Sequence, residues 1–508
     1  MNDFLHDWGL AVITFLPLVG ALVMLLIPKT EEQTHKLVAL GTSLAAFAVG
    51  IWILFEFNYD AAERMQFTID RSWIELINSR FIMGVDGISL PLVVLTLLIV
   101  PLCLIYSLNH IPEPGNPKAF LILILILETG MVGSFVAQDL ILFFVFFEVV
   151  LLPMYFMIGV WGGEQRQYAS IKFFLYTLFG SALMIVSFLA LYWLTGADSF
   201  GMADLAASSG GISSTAGFLI FGGMFIGFGI KVPIFPFHTW LPDAHTQAPT
   251  VGSVILAAVL LKLGTYGFVR IGIGILPDPA HDWAPIIAIV ATIGIIYGAL
   301  GCLAQTDMKR LIAFSSVAHM GFVMLGIATL TDYGINAAVF GMVAHGLITG
   351  MLFFLAGSMK DRYHTLEIKR LGGLLVQAPR MGWILGFCAM ASLGLPGLAG
   401  FWGEFPAILA AYQPAEGLSE TLFRTCMVIA ALGTVLAAGY LLWLLQRTAF
   451  GTPKEEFENN SHVSDVSPTE WTAWLPLLVL ILILGFLPGL MFDVTNPAVQ
   501  AISSVTGG

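Results

Sequence analysis

What most constrains this chain is the recurrence of uncharged apolar runs near 20 residues long, from Trp8–Ile27 at one end to 472–492 at the other. A helix of that length crosses the ~30 Å hydrocarbon layer of a bilayer. Backbone in lipid must satisfy its own hydrogen bonds, so runs of this kind fold as helices. Of the 508 residues, 58% are hydrophobic and 11% are charged, whereas soluble domains are about a quarter charged. A soluble domain is thereby excluded. Reading apolar runs between turn signals gives fourteen spans, near 8–27, 37–57, 85–107, 119–137, 140–160, 171–194, 215–237, 250–276, 284–305, 311–331, 335–358, 382–410, 424–446 and 472–492. The expected fold is an all-α polytopic membrane protein. The first run has no basic leading segment and no small-residue cleavage site, so it is expected to be retained as a span.

The positive charges are distributed unevenly. Loops after odd-numbered spans, leaving aside the seventh, carry fourteen Lys and Arg, including Lys309 and Arg362. Loops after even-numbered spans carry five, Arg64, Arg71, Arg80, Arg270 and Arg424. The positive-inside rule then puts the odd loops in the cytoplasm and both termini outside. Lys231 and Lys262 are the two cations left inside spans. The polar stretches 58–84 and 451–470 are expected as an external and a cytoplasmic loop. Neither is long enough for a catalytic domain. No P-loop, Rossmann glycine pattern or basic patch with interleaved aromatics occurs, so no nucleotide or nucleic-acid site is expected. Cys103, Cys302, Cys388 and Cys426 are far apart inside apolar runs, a spacing that fits neither zinc nor an iron–sulfur cluster.

Span 7 is interrupted. In GIKVPIFPFHTWLPDAHTQAPT, Lys231 precedes Pro233 and Pro236, and proline removes an amide donor and clashes with the preceding turn. Span 12 holds a comparable sequence, Glu404-Phe405-Pro406, with Gly394-Leu395-Pro396-Gly397 before it. The two motifs lie five spans apart. Spans 4–8 and 9–13 are therefore expected to be five-helix repeats, each with a broken helix, of opposite orientation because five is odd. The corresponding segments are 1–115, 116–280, 281–450 and 451–508.

Seven ionisable residues fall at or near the centres of spans: Glu128, Glu148, Lys231, Lys262, His319, His345 and Glu404. Each charge at the bilayer centre costs ~2.5–3.5 kcal/mol even on a lenient scale. Structural explanations differ among them. Glu148 and Lys262 have no charged neighbour along their own helices and need partners elsewhere, whereas His319 and His345 could be neutral histidines bonding between helices. Glu128 is the weakest candidate. His238, Asp243 and His245 form a local cluster without a fourth metal ligand, which favours hydrogen bonding at the broken helix or a water-lined access over a metal site. Burial destabilises the charged forms of lysine and glutamate, and an opposite charge restores them. A separable Glu148–Lys231 pair would thus have switchable proton affinity, with the histidines serving as relays. The order Glu148, Lys231, Lys262, His319 and His345, Glu404 reads as a hydrophilic axis across the bundle.

The blocks KVPIFPFHTWLPDAHTQAPTVGSVILAAVLLKLGTYGFVR, FFEVVLLPMYFMIGVWGG, SSVAHMGFV and LPGLAGFWGEF closely resemble the antiporter-like membrane subunits of respiratory complex I, the proton-translocating NADH:quinone oxidoreductase, over essentially all fourteen spans. Within that family the resemblance is to the M branch: Glu404 stands where the sister subunits L and N typically carry lysine, and no long lateral helix follows span 14. The resemblance implies a proton-translocating unit. Glu148 and Lys231 would be its paired carboxylate and lysine, Lys262 its central lysine, His319 and His345 its relay, and Glu404 its terminal residue. It also implies that NADH, FMN, iron–sulfur clusters and quinone are bound by partner subunits. The expected partners are the other membrane subunits, above all L and N, in a bacterial inner membrane; a mitochondrial one is the lesser alternative. An Mrp-type sodium/proton antiporter subunit, a membrane-bound hydrogenase subunit and a passive structural spacer remain as other readings of the same residues.

Overall fold

The computed structural model describes residues 2–458 and 463–504. Residues 459–462 of the expected cytoplasmic loop, and the last four residues, lie outside the described residues. The chain starts with the helices α1 (Asn2–Leu26) and α2 (Glu32–Glu56). The stretch 58–84, expected as a polar loop, instead contains an antiparallel hairpin of β1 (Gln66–Ile74) and β2 (Ser79–Val85), with Ile69 opposite Met83 and Arg71 opposite Phe81. Its aromatic and β-branched residues suit a pleated surface, and Asn78 takes the left-handed conformation at the turn (φ 54°).

Next come α3 (Ser89–Ser107), α4 (Pro117–Val136), α5 (Leu140–Val149) and α6 (Leu151–Trp161). The last two form one span, interrupted where Pro153 cannot donate to the carbonyl of Val149. Asp139 caps α5 by accepting from the Ile141 and Leu142 amides, and it also accepts from Ser79 and the Arg80 amide, so the hairpin is fastened to the bundle. The long α7 (Arg166–Thr195), the short α8 (Met202–Ser208) and α9 (Ser214–Lys231) lead to the interrupted region, where α10 (Trp240–Gln247) precedes the eighth span.

That span runs from Thr250 to Ile273 and is buried along its whole length. It consists of α11 (Thr250–Ile255), a π-helical turn at Leu256–Leu260, α12 (Leu261–Gly267) and a second π-helical turn at Phe268–Ile273. The helices α13 (Pro277–Leu303), α14 (Met308–Ala328) and α15 (Asp332–Tyr363) follow, and α15 is buried end to end apart from its termini. After α16 (Leu374–Gln377), the twelfth span is broken into α17 (Pro379–Ser392) and α18 (Ala399–Ala410). Gly394 and Gly397, at φ +77° and +91°, occupy a conformation that glycine alone adopts without strain. The chain finishes with α19 (Glu420–Thr448), α20 (Pro468–Phe486) and a further helix, α21 (Gly489–Ser503), where the sequence predicts a last span continuing to 492 and no separate helix.

Thirteen described helices are long and apolar enough to cross a membrane, and the broken pair α17–α18 makes the remaining span. Lys231 is the last residue before its break, whereas Glu404 follows its break, inside α18. The K-x-P and E-x-P motifs thus hold different positions in their broken helices. Two loop assignments also change. Arg270 is inside the eighth span and bonds to the buried Asp86, and Lys309 is buried at 3% exposure in the first turn of α14.

Near the end of α15, Arg362 makes two parallel hydrogen bonds to Glu470 of α20, both 2.8 Å, and further ones to the carbonyls of Ser464 and Asp465. Glu470 also completes a capping box with Ser467. Removing one member of such a pair leaves a buried charge without compensation, at ~3–5 kcal/mol. Glu470→Ala is therefore expected to destabilise the protein by about that amount. Thermal unfolding of the purified complex checks this, and an unchanged midpoint would contradict the assignment of α15–α20 stability to this pair.

Candidate functional site

The interruption after α9 is held by a short set of bonds. Trp240 Nε1 donates to the Ile230 carbonyl at 2.9 Å, and the Ile234 amide to Gly229 at 2.9 Å. They leave Lys231 at the helix end, 2% exposed, with its Nζ 4.7 Å from the Phe147 ring centroid. Glu148 comes within electrostatic range of Lys231, but no ion pair joins them among the described residues. Gly264 brings the eighth span against this end of α9. A Cβ there would stand 2.6 Å from the Phe228 carbonyl and 3.1 Å from Lys231 Cβ.

Two residues before Gly264, Lys262 is fully buried. Its Nζ bonds to the Ala257 carbonyl at 2.5 Å, inside the first π-helical turn, and to His345 Nδ1 at 2.7 Å. A π-turn breaks the regular carbonyl ladder, which leaves an acceptor for the lysine in its own helix. The other nitrogen of His345, Nε2, has no partner among the described residues. The His345 ring lies 5.9 Å from that of His319, centroid to centroid. His319 in turn bonds through Nδ1 to Glu404 Oε1 at 2.5 Å, and through Nε2 to Ser392 Oγ at 3.2 Å and Tyr440 OH at 3.1 Å.

Between the two histidines is a cavity of about 20 Å³ lined by His319, His345, Thr349, Ser392 and Glu404. A space of this size holds about one water, which needs 2–4 polar partners, and the lining supplies them. The cavity exists because α15 and α18 touch backbone to backbone at Gly341 and Gly403. Lys262, His345, His319 and Glu404 therefore form a buried row of three helices' side chains plus one half-helix, with one water-sized gap.

Other candidates fall elsewhere. Glu128 is fully buried and accepts from Ser43 of α2 at 2.9 Å, away from the row. Asp243 does not associate with the neighbouring histidines: it pairs with Lys172 of α7 at 2.7 Å and Arg310 of α14 at 3.5 Å. His238 packs among Phe235, Tyr297 and Phe314. His245 stacks on Phe353 at 4.4 Å, and neither of its ring nitrogens has a partner among the described residues. The three were grouped by closeness in sequence, yet His238 precedes α10, and residues two apart on a helix face different sides. Among the described residues no group of three or more His, Cys, Asp or Glu is placed to hold a metal.

Three residues of the site were not singled out from the sequence. Ser392 and Tyr440 carry hydroxyls inside apolar runs, a weak signal that marks many helix-packing residues equally well. Lys309 looked like a loop cation; it is buried, donates to the Ala248 carbonyl, and lies within electrostatic range of His245, as does Lys262.

Comparison with known proteins agrees with this architecture. Residues 137–430 match the family model described as NADH:quinone oxidoreductase/Mrp antiporter, TM, and residues 13–134 match NADH-ubiquinone oxidoreductase chain 4, amino terminus. NADH-quinone oxidoreductase subunit M of Rhodobacter capsulatus is 41% identical, covering 96% of this chain and 95% of the relative. A chain of respiratory complex I from Thermus thermophilus superposes with a TM-score of 0.87 at 29% identity, covering 98% of this chain and all of that one. A chain of the Mrp complex from Dietzia sp. DQ12-45-1b shares the fold, with a TM-score of 0.83 at 20% identity over 98% of this chain and 52% of that one. By its sequence and its architecture, the chain belongs to the subunit M family of NADH-quinone oxidoreductase, among the antiporter-like membrane subunits of that enzyme.

Proposed function

We propose that this chain carries protons across the membrane through Glu148, Lys231, Lys262, His345, His319 and Glu404, driven by redox chemistry in partner subunits. The observation that carries the reading is the buried row from Lys262 to Glu404, in which each group bonds to the next or faces it across a space for one water. Ionisable side chains are costly at membrane depth and, where they occur, mark ion paths.

The bonding pattern is compatible with hand-over along the row from Lys262 to Glu404. When Lys262 Nζ donates to Nδ1 of a neutral His345, the ring proton is on Nε2, the nitrogen without a protein partner. His345 can then gain a proton at Nδ1 from the lysine and lose one at Nε2 to a water. Ser392 both lines the cavity and bonds to His319 Nε2, so its hydroxyl can take that proton on to His319. With Nε2 protonated, His319 gives its Nδ1 proton to Glu404 Oε1. The Glu148–Lys231 pair sits upstream, where Gly264 brings the lysine's helix against the span of Lys262. Withdrawal of Glu148 would remove the charge that holds a proton on Lys231.

The same reading assigns NADH, FMN, iron–sulfur clusters and quinone to partner subunits, and takes L and N as the neighbouring membrane subunits. It places the chain in a bacterial plasma membrane, with both termini outside, and treats 116–280 and 281–450 as the two half-units, each supplying one broken helix. His245 and Lys309 lie on the cytoplasmic approach to Lys262.

Glu148→Ala and His345→Ala are expected to slow translocation through this subunit about tenfold or more, equivalent to at least ~1.4 kcal/mol on the barrier. The check is dye-detected proton uptake by reconstituted complex at matched NADH oxidation; undiminished pumping in an assembled Glu148→Ala complex would make the chain a spacer. For orientation, a cysteine replacing Lys29 should react with an impermeant thiol reagent only from the cytoplasmic side, and reaction from the external side would invert the topology.

A further inference from the structure

The relay leaves a second polar region unexplained. Where α15 begins, at the end opposite Arg362, a cavity of about 280 Å³ lies between Asp332, Tyr333 and Asn336 of α15, Pro406 of α18, and Asp493 and Asn496 of α21. Asn336 is only 6% exposed, yet its amide donates to Asn496 Oδ1 at 3.0 Å and its carbonyl accepts from Thr495 Oγ1 at 2.7 Å. Asp332 accepts from Ser503. Asp493 and Asn496 are exposed, so the space is open on the side of α21, and its wall combines these polar groups with Pro406 and Phe492.

The floor is close to the relay. Pro406 is two residues beyond Glu404 on α18, about 3 Å along the axis. It lacks the amide that would engage the Trp402 carbonyl, which frees an acceptor between the two levels. On α15, Asn336 precedes Gly341, a lining residue of the central cavity, by five residues, or about 7.5 Å. Phe492 of α21, itself a lining residue of this cavity, packs on both helices at this level: its ring lies 4.9 Å from that of Phe340, tilted by 31°, and meets Trp402 edge-on at 6.3 Å. Phe340 and Trp402 each stand one residue before a lining residue of the central cavity, Gly341 and Gly403.

We propose that this cavity is the external aqueous mouth of the proton path, and that Phe492, packed on Phe340, is the apolar septum between the mouth and the His319–Glu404 cavity. In its proton-carrying role the mouth rests on the relay reading; as a water-filled cavity closed by an aromatic ring it stands on geometry alone. The competing role for the Asn336–Thr495–Asn496 set is merely to fasten α21 to α15. Fastening, to which Asp332 also contributes through Ser503, does not require a space of this volume.

The assembled complex tests this in two arms. Asn336→Cys, at the floor, is expected to react with a membrane-impermeant thiol reagent applied from outside, read by mass spectrometry of this chain, in which all four native cysteines are buried. An inert Asn336→Cys would reduce the set to a fastening and overturn the mouth. In the second arm, Phe492→Ala should raise passive proton leak several-fold in proteoliposomes whose NADH oxidation is blocked, while Phe492→Leu keeps the leak low. An assembled, redox-active Phe492→Ala complex with unchanged leak would overturn the septum. If Phe492→Ala does not assemble, leak through the Phe492→Val complex decides in its place. Should Glu404→Gln pump normally while Asn336→Cys reacts from outside, the relay falls and the mouth remains.

Discussion

The hydrogen bond between Lys262 and His345 is the interaction on which the rest of this molecule depends. A lysine at full burial in a lipid-embedded helix is unfavourable unless something accepts from it, and every nearby feature supplies acceptors or space. The π-helical turn offers the Ala257 carbonyl. The fully buried α15 brings His345 to the same nitrogen. Gly264 lets the end of α9 approach from the other side. Had the eighth span been a regular helix with a side chain at 264, the first acceptor would be engaged in the ladder and Lys231 would stand farther away.

Around this centre the chain uses two kinds of charged pair. Arg270–Asp86 and Arg362–Glu470 have carboxylates held by further hydrogen bonds, and join elements far apart in sequence. They are fasteners. Glu148–Lys231 and His319–Glu404 are of another kind: the first is within electrostatic range without an ion pair among the described residues, and the second is one bond in a row of buried ionisable groups. Asp243 belongs with the fasteners, since Lys172 and Arg310 tie α10 to α7 and α14 at once.

The sequence made the buried ionisable residues legible because a Glu, Lys or His in an apolar run violates the strongest rule such a chain obeys. Lys262, His345, His319 and Glu404 stood out on that ground alone, and the breaks at Pro233 and Gly394–Gly397 followed from backbone chemistry. What could not be read were features that arise only between helices. Nothing local distinguishes the π-helical turns at 256–260 and 268–273 from ordinary helix. Lys309 and Arg270 lie at span ends, where a shift of a few residues converts a solvated cation to a buried one. Ser392 and Tyr440 gain their roles only because α17 and α19 bring them to His319. The helix α21 was hidden by its closeness to the last span, from which only Leu487 and Pro488 separate it.

The smallness of the central cavity has an electrical meaning. A membrane that holds 100 mV exerts ~2.3 kcal/mol on each unit charge crossing it, so any continuously wetted row of titratable groups would short-circuit the gradient it serves. In the proposed relay, with room for about one water between His345 and His319, the row would conduct with that water present and insulate without it. Gly341 and Gly403 set that volume through their missing side chains. In that reading the backbone contact of Gly341 with Gly403 would act as the dielectric of a switch.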